Sequence, residues 1–293
     1  MSAPETLTEV LTAAEWRPIA DAHAARVDAL ASAHLERRRR GEKHPVEDFL
    51  WTYYSVRPGQ LRRWHPGPGV RLAGASEHAG WRYYREVDGL VEVDRDAYLA
   101  DRGDTVAFVR RLLAATRERP AQWSCFGLHE WAMVYRTTPE QVRHVGWPLR
   151  LGHAGTDAVV EAHSLRCTHF DAFRFFTPDA VGRNAHAPTR ERQVDLEQPG
   201  CLHATMDLYK WCGKLVPGVP SALVMDAFAL AREARELDMR AAPYDLAALG
   251  VEPIRIETAE GKASYVAEQR RIAEKGDALR VRLVAACEGL LAG

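Results

Sequence analysis

The ionisable residues that could do chemistry are concentrated between positions 161 and 211 of the chain. They stand among Phe, Leu, Met and Trp residues, which favour burial, so charged and apolar groups must share the same space. A charge removed from water is costly unless it is paired or ligated. We therefore expect a functional site in this segment, and its candidate catalytic residues are His169, Asp171, Glu197, His203 and Asp207.

One part of this segment has a spacing typical of a helix. If residues 202–211 are helical, His203, Asp207 and Lys210 lie on one face, because they are four and three positions apart. A carboxylate one turn from an imidazole can orient that ring for proton transfer. The alternative is a solvent-exposed stripe of the helix with local ion pairs, although the neighbouring residues are too apolar for such a face.

A second grouping could hold a metal ion. His163, His169 and Asp171 would share one side of an extended strand. Together with His203 and Asp207 they could form a His/carboxylate site for a divalent metal such as Fe or Zn. The spacing matches no standard ligand pattern, so hydrogen-bonded buried histidines without any cofactor are the main expectation. The neighbours His129 and Glu130 would not face each other on a helix, and we interpret that pair as structural.

Basic and aromatic residues alternate between positions 37 and 64. Arginines that contact phosphate, next to rings that stack on bases, are typical of nucleic-acid binding. A solvated helix end with core aromatics is the competing interpretation, since Glu36, Glu42, Glu47 and Asp48 dilute the positive charge. Asp48 could equally be a residue at a helix start.

The composition limits the class of protein. The 293 residues are 46% hydrophobic and 27% charged, with a net charge of −1, so any attraction to phosphates must be local. There is no apolar run near the roughly 20 residues that a membrane helix needs. The first five residues lack the basic region, followed by an apolar region, that is typical of a secretory signal. Five cysteines without a CxxC pair favour free thiols in the cytoplasm.

Periodicity predicts a mainly α (α+β) fold that forms a single helical domain over residues 1–293. A small antiparallel β meander is expected near residues 70–93, within an insertion that covers about 68–94. Asp88-Gly89 is its best hairpin turn. The predicted helices cover Leu11 to Arg40, a segment from Pro45 to Tyr54, Thr105 to Arg119, Cys125 to Arg136, Ser221 to Arg240 and Lys262 to Leu291.

Several phrases are similar to an actinobacterial family that carries the label "3-methyladenine DNA glycosylase". They span nearly the whole chain, and the most specific begin at Arg40, Arg62, Cys125, Cys167 and Glu197. The resemblance implies an enzyme that extrudes a modified base, stacks it on aromatic rings and cleaves its N-glycosidic bond with a carboxylate. The substrate-binding candidates are Asp48, Tyr53, Tyr54, Arg57, Arg62, Arg63, Trp64, His65, Phe170, Arg174 and Lys210.

Three hypotheses remain open from the sequence. The first is a DNA glycosylase, with DNA as its partner in duplex or single strand and no protein partner or membrane inferred. The second is a metal-dependent hydrolase or oxygenase. The third is an N-glycosidase that acts on a free nucleoside or nucleotide, which the near-neutral charge favours.

Overall fold

The computed structural model describes residues 9–142 and 146–292, and its fold is mainly α (α+β), as the sequence predicts. The expectation about a secretory signal concerns residues 1–5, outside these ranges. The helices are α1 (Ala13–Arg40), α2 (Phe49–Tyr53), α3 (Pro58–Leu61), α4 (Ser76–Ala79), α5 (Arg95–Glu118), α6 (Leu128–Ala132), α7 (Gly152–Glu161), α8 (Phe170–Phe173), α9 (Pro178–Val181), α10 (Gln193–Leu196), α11 (Leu202–Leu215), α12 (Ser221–Arg240) and α13 (Ala259–Leu291). The strands are β1 (Glu9–Leu11), β2 (Val70–Ala73), β3 (Tyr84–Val87) and β4 (Leu90–Val93). Within the described ranges, no helix combines the length and the apolar character needed to span a membrane.

The chain divides into two compact units. Unit 1 comprises Met1–Arg111, Tyr209–Phe228 and Val281–Gly293, and unit 2 comprises Leu112–Leu208 and Ala229–Arg280. Helices α5, α11, α12 and α13 therefore contribute residues to both units. That the whole chain forms a single domain stays a prediction.

Helix α1 of unit 1 is capped at both ends. At its start, Oε2 of Glu15 accepts hydrogen bonds from the backbone N–H (2.8 Å) and the hydroxyl (2.7 Å) of Thr12. At its end, Gly41 adopts the left-handed conformation with φ +72°, and its N–H bonds to the last carbonyls. The predicted helix is confirmed, with its first residue at Ala13 rather than Leu11.

The small sheet of unit 1 has the strand order β1-β2-β4-β3. Its β3–β4 hairpin turns at Asp88 and Gly89, which have φ +52° and +75°, as the Asp-Gly pair predicts. The strands within residues 70–93 pair antiparallel, β2 with β4 and β4 with β3, as the sequence predicts. Strand β1 lies outside that segment and pairs with β2 in parallel, so the sheet as a whole is mixed. A three-residue strand is too short to show an alternating pattern in the sequence.

Two helices are shorter than predicted. Helix α2 begins only at Phe49, so Pro45 lies in the turn before it. Helix α6 covers Leu128–Ala132 and not residues 125–136, because Phe126, Gly127 and Arg136 have positive φ angles that interrupt a right-handed helix.

Trp131 of α6, in unit 2, is the largest fully buried side chain among the described residues. Its indole N–H donates to the carbonyl of Ala241 at the end of α12 (2.8 Å), so a large apolar side chain also satisfies a buried carbonyl. Gly127 approaches the same place closely, since a Cβ there would lie 3.1 Å from Cβ of Ala241. These contacts hold α6 against α12, and both helices carry polar residues of the site.

Candidate metal centre

Three buried side chains of unit 2 form a compact donor set. Nε2 of His169 lies 3.3 Å from Oε1 of Glu197 and 3.3 Å from Oδ2 of Asp207, and none of the three side chains is more than 2% exposed. One donor atom from each residue lies within 4.8 Å of the others. We call these three residues the triad.

Local structure explains the position of each member of the triad. His169 precedes α8 in an extended conformation, and Glu197 ends α10 just before Gln198-Pro-Gly200. Asp207 lies one turn after His203 on α11, which confirms that residues 202–211 are helical. The predicted strand from His163 to Asp171 is wrong, because the chain forms a turn after α7 and then enters α8.

The loop that carries Glu197 is fixed by amide side chains. Nε2 of Gln193 donates to Oε1 of Glu197 at 2.5 Å, and Nε2 of Gln269 donates to the carbonyl of Gly200 at 2.6 Å. Glycine is required at position 200, because a Cβ would meet the carbonyl oxygen of Gln122 at 2.6 Å. The carboxylate therefore reaches the triad from a backbone with little freedom to move.

A second buried group lies beside the triad. Nε2 of His129 lies 2.7 Å from Oδ1 of Asp238, and Nη1 of Arg235 donates to Asp238 at 3.0 Å and to Glu130 at 2.9 Å. Burial alone would lower the pKa of His129, but the charge of Asp238, helped by Cys125, raises it well above its ordinary value. The sequence interpretation of His129 and Glu130 as a pair that does not interact directly fits these separate partners.

His203 stands between the two groups. Its ring centroid lies 4.5 Å from that of His129, edge to face, and 5.4 Å from that of His169. With His129 and Asp238 it forms a second set of possible donor atoms within 4.8 Å.

Several ionisable side chains are buried in this part of unit 2. The carboxylates of Glu130, Glu197, Asp207 and Asp238 are buried, as are the guanidinium groups of Arg235 and Arg280. Burial lowers the pKa of Arg280 against the opposing effect of Glu197, and its Nε and Nη1 have no hydrogen-bond partner among the described residues.

Two thiols near the site, those of Cys167 and Cys201, are not activated. Burial raises the pKa of Cys167 and of Cys201, so both remain protonated at neutral pH. Sγ of Cys125 lies 3.4 Å from Nδ1 of His129. All five cysteines of the chain are free, as expected from their spacing.

Four of the five catalytic candidates therefore lie in or beside the triad, and Asp171 does not. Asp171 lies 3.3 Å from Nε of Arg174 and 3.7 Å from Nη2 of Arg190, in an ion-pair group that is partly open to solvent. His163, a metal candidate, bonds through Nδ1 to the carbonyl of Val159 at 2.6 Å. Neither residue belongs to a donor group among the described residues.

Most of the substrate-binding candidates belong to unit 1, and only Phe170 and Arg174 belong to unit 2. Phe170 lies under the guanidinium of Arg190, and Arg174 lies over the ring of Phe175. Lys210 lies over the ring of Trp211 in unit 1.

Within unit 1, several candidates have evident structural partners. Asp48 accepts hydrogen bonds from Arg37 at 2.6 Å and from the backbone N–H of His44 at 2.8 Å. Tyr53 and Tyr54 pack edge to face, with ring centroids 5.1 Å apart.

The basic segment of unit 1 is divided between packed and exposed residues. Trp64 stacks parallel to Trp16, whereas Arg62 forms an exposed ion pair with Asp28. Arg57 is exposed before α3. Arg63 and His65 line a cavity.

The sequence interpretation missed Asp238, Arg235 and Arg280 as parts of the site. The contact between Asp238 and Arg235 could have been predicted, because residues three positions apart on a helix, here α12, have neighbouring side chains. Arg280 offered no such pattern, since a basic residue on a long helix is usually solvated.

A comparison with protein-family models, curated protein sequences and solved structures finds no match to this chain.

Proposed function

We propose that the protein is a metal-dependent enzyme whose metal ion binds to the triad of His169, Glu197 and Asp207. The distance from Nε2 of His169 to each carboxylate carries this proposal. Charge-assisted N–H···O bonds are about 2.7–2.9 Å long. Two ligand atoms that are each about 2.1 Å from one tetrahedral ion lie about 3.4 Å apart. The 3.3 Å separations match donors around an ion better than a direct hydrogen bond.

The neighbouring group provides an internal comparison. His129 and Asp238 are equally buried, yet their atoms are 2.7 Å apart, the distance of a direct ion pair. The two groups thus have similar residues but different geometry. We assign the ion to the triad and the structural ion pair to His129 and Asp238.

The chemistry of the donors narrows the metal and the reaction. One imidazole nitrogen and two carboxylate oxygens suit Fe or Zn, and three protein ligands leave a position for water or substrate. Such an ion acts as a Lewis acid or activates water, which supports a hydrolase or an oxygenase. His203, next to His169, is placed to serve as a further ligand or as a proton donor.

The test is metal analysis of protein purified without a histidine tag. We expect about one Fe or Zn per chain in the wild type and a loss of most of it in Asp207→Asn, which removes one anionic ligand. The matched control is Asp171→Asn, the same change in a carboxylate that pairs with Arg174 outside the triad. Circular dichroism checks that each variant is folded.

The same comparison applies to the imidazole ligand. His169→Gln should lose the metal, and His163→Gln should keep it. A wild type with far less than one metal per chain after gentle purification contradicts the proposal. So does equal metal content in the triad variants and their controls.

A second candidate is an N-glycosidic hydrolase that removes a modified base from DNA, a role in base-excision repair. It is supported by the family resemblance and by the two carboxylates within 3.3 Å of the His169 imidazole, which could stabilise an oxocarbenium-like sugar or activate water. The free thiols agree with the expected cytoplasmic location. A free nucleoside as substrate remains the third possibility.

Base release from a panel of modified duplexes, single strands and nucleosides tests this candidate. Release that persists after metal removal by EDTA would favour it over the metal-dependent enzyme. Binding to duplex must weaken as salt rises, whereas hydrolysis of a nucleoside need not. No release from any substrate of the panel would count against both N-glycosidase hypotheses.

A further inference from the structure

Unit 1 contains a cavity of about 350 Å³, within the size range of small-molecule sites. Its walls come from the residues after α2, helix α3 and the residues after it, the turn between α4 and β3, α5, the end of α11 and the first turn of α12. It is lined by Ser55, Val56, Gln60, Leu61, Arg63, His65, Trp81, Arg82, Tyr83, Arg102, Gly213, Lys214, Val216, Pro217, Ser221 and Val224.

The charge of this lining has one sign. Arg63, Arg82, Arg102 and Lys214 line the cavity, and none of the described lining residues is Asp or Glu. Arg82 pairs with Asp101, which is not part of the lining, and both are exposed. The protein as a whole is nearly neutral, so this local excess of positive charge is not a consequence of composition.

The cationic groups are held in place by the surrounding structure. Nη2 of Arg102 donates to the carbonyl of Lys214 at 2.6 Å, which fixes its guanidinium at the cavity wall. The guanidinium of Arg63 lies 5.3 Å from the centre of the Trp81 ring. Arg63 forms no ion pair with another described residue, so its charge is available to a ligand.

Two of the lining residues, His65 and Ser221, are polar but uncharged. The backbone N–H of His65 donates to the hydroxyl of Ser221 at 2.8 Å, and Nδ1 of the ring lies 3.0 Å from the hydroxyl of Tyr84. Burial, with smaller effects of His78 and Arg63, lowers the pKa of His65 to about 3, so the ring is neutral at physiological pH. Ser221 is also the first residue of α12, whose dipole adds partial positive charge.

We propose that this cavity binds a small organic phosphate, with the phosphate held by Arg63, Arg102 and Lys214 and a flat organic part against Trp81 and the apolar wall. Guanidinium groups match phosphate oxygens in planar, paired hydrogen bonds. Val56, Leu61, Val216 and Val224 provide the apolar surface for the organic part. The proposal uses residues of unit 1 alone and does not depend on the metal ion of unit 2.

Isothermal titration calorimetry tests the proposal with adenosine 5′-monophosphate, adenosine and inorganic phosphate as probes. The monophosphate should bind at least about tenfold more tightly than adenosine, because a hydrogen-bonded charge pair contributes about that factor or more. It should also bind more tightly than inorganic phosphate, which cannot use the apolar wall.

Charge removal identifies the site. Arg63→Gln and Lys214→Gln should each weaken binding of the monophosphate by about tenfold. The control Arg39→Gln removes an arginine of α1 that is 75% exposed, and it should leave binding unchanged. Arg63 and Lys214 are both exposed, so we expect the variants to fold.

Three results would overturn the proposal. One is equal affinity for adenosine and its monophosphate, or no binding of either. Another is unchanged binding in both charge variants when circular dichroism shows that they are folded. The third is binding of a single-stranded oligonucleotide without binding of the mononucleotide, which would make this cavity part of a nucleic-acid surface.

Discussion

The replacement Asp238→Asn should be among the most destabilising single changes in the chain. Asp238 is fully buried and accepts a hydrogen bond from Arg235, and its other oxygen lies 2.7 Å from Nε2 of His129. An amide keeps the shape of the side chain and removes its charge. His129 then loses its counter-ion, and Arg235 loses one anionic partner while its ion pair with Glu130 remains.

The expected magnitude follows from burial. Removing one partner of a buried ion pair costs about 3–5 kcal/mol, because the other charge stays uncompensated in a poorly hydrated place. The control is Asp277→Asn, since Asp277 lies at the same distance, 2.7 Å, from Arg117, but the two side chains are 44% and 38% exposed. An exposed pair contributes only about 0–1 kcal/mol.

Urea denaturation followed by circular dichroism measures both costs. At an m value of about 3 kcal/mol per molar urea, Asp238→Asn should lower the midpoint by about 1 M or more, and Asp277→Asn by about 0.3 M or less. The m values must agree for the comparison to hold. Equal and small shifts of the urea midpoint for the two variants would refute the reasoning, because the charge of the buried Asp238 would then contribute no more to the free energy of unfolding than the exposed Asp277 does.

Three further predictions concern pH and backbone conformation. The raised pKa of His129 means that its contribution to stability is complete below its ordinary value of 6.5 and is lost as pH rises through the folded-state pKa. The urea-midpoint difference between wild type and Asp238→Asn should therefore shrink as pH rises above about 6.5. Burial would raise the pKa of Asp48, but hydrogen bonds from its basic neighbours lower it below 3.8. The stability that Asp48→Asn loses above that pH should therefore disappear as acid protonates Asp48 in the wild type. A difference in stability between wild type and Asp48→Asn that stays constant with pH would contradict this. Gly127→Ala should destabilise the protein by about 1–3 kcal/mol, because φ is +72° and the new Cβ would meet a neighbouring methyl group. Gly103→Ala, within α5 and with open space around it, should stabilise the protein by up to about 1 kcal/mol. Thermal unfolding of the two variants should give shifts in melting temperature of opposite sign.

Local signals explain which parts of the fold could be predicted. The end of α1 at Arg40 was predictable because Gly41 is a glycine that ends a helix, and α12 was predicted with its observed ends, Ser221–Arg240. The short extent of α6 was not, because phenylalanine is not a residue type that indicates the positive φ found at Phe126. The parallel pairing of β1 depends likewise on residues about sixty positions away, a separation that periodicity cannot detect.

The candidate site was partly predictable for a similar reason. His203 and Asp207 are one turn apart on one helix, so their common face could be derived from spacing. The contact between His129 and Asp238 joins residues 109 positions apart, and no local pattern implies it. Asp171 shows the opposite error, since its closeness to His169 in sequence suggested a shared role, and the helical turn of α8 directs it to Arg174 instead.

The group around Asp238 and the triad differ in the distances between their charged partners. The carboxylate of Asp238 has two cationic partners at direct hydrogen-bonding distances, so this group is balanced without any addition. In the triad, two carboxylates share one imidazole at 3.3 Å, and a single proton on Nε2 cannot form a short hydrogen bond to both. A cation between the three donors would carry a charge opposite to that of both carboxylates, and Nε2 would bind it through its lone pair, which must then carry no proton. Metal uptake by the wild type, titrated at several pH values, should therefore weaken as pH falls and protons compete for the three donors, and Asp171→Asn should behave as the wild type does.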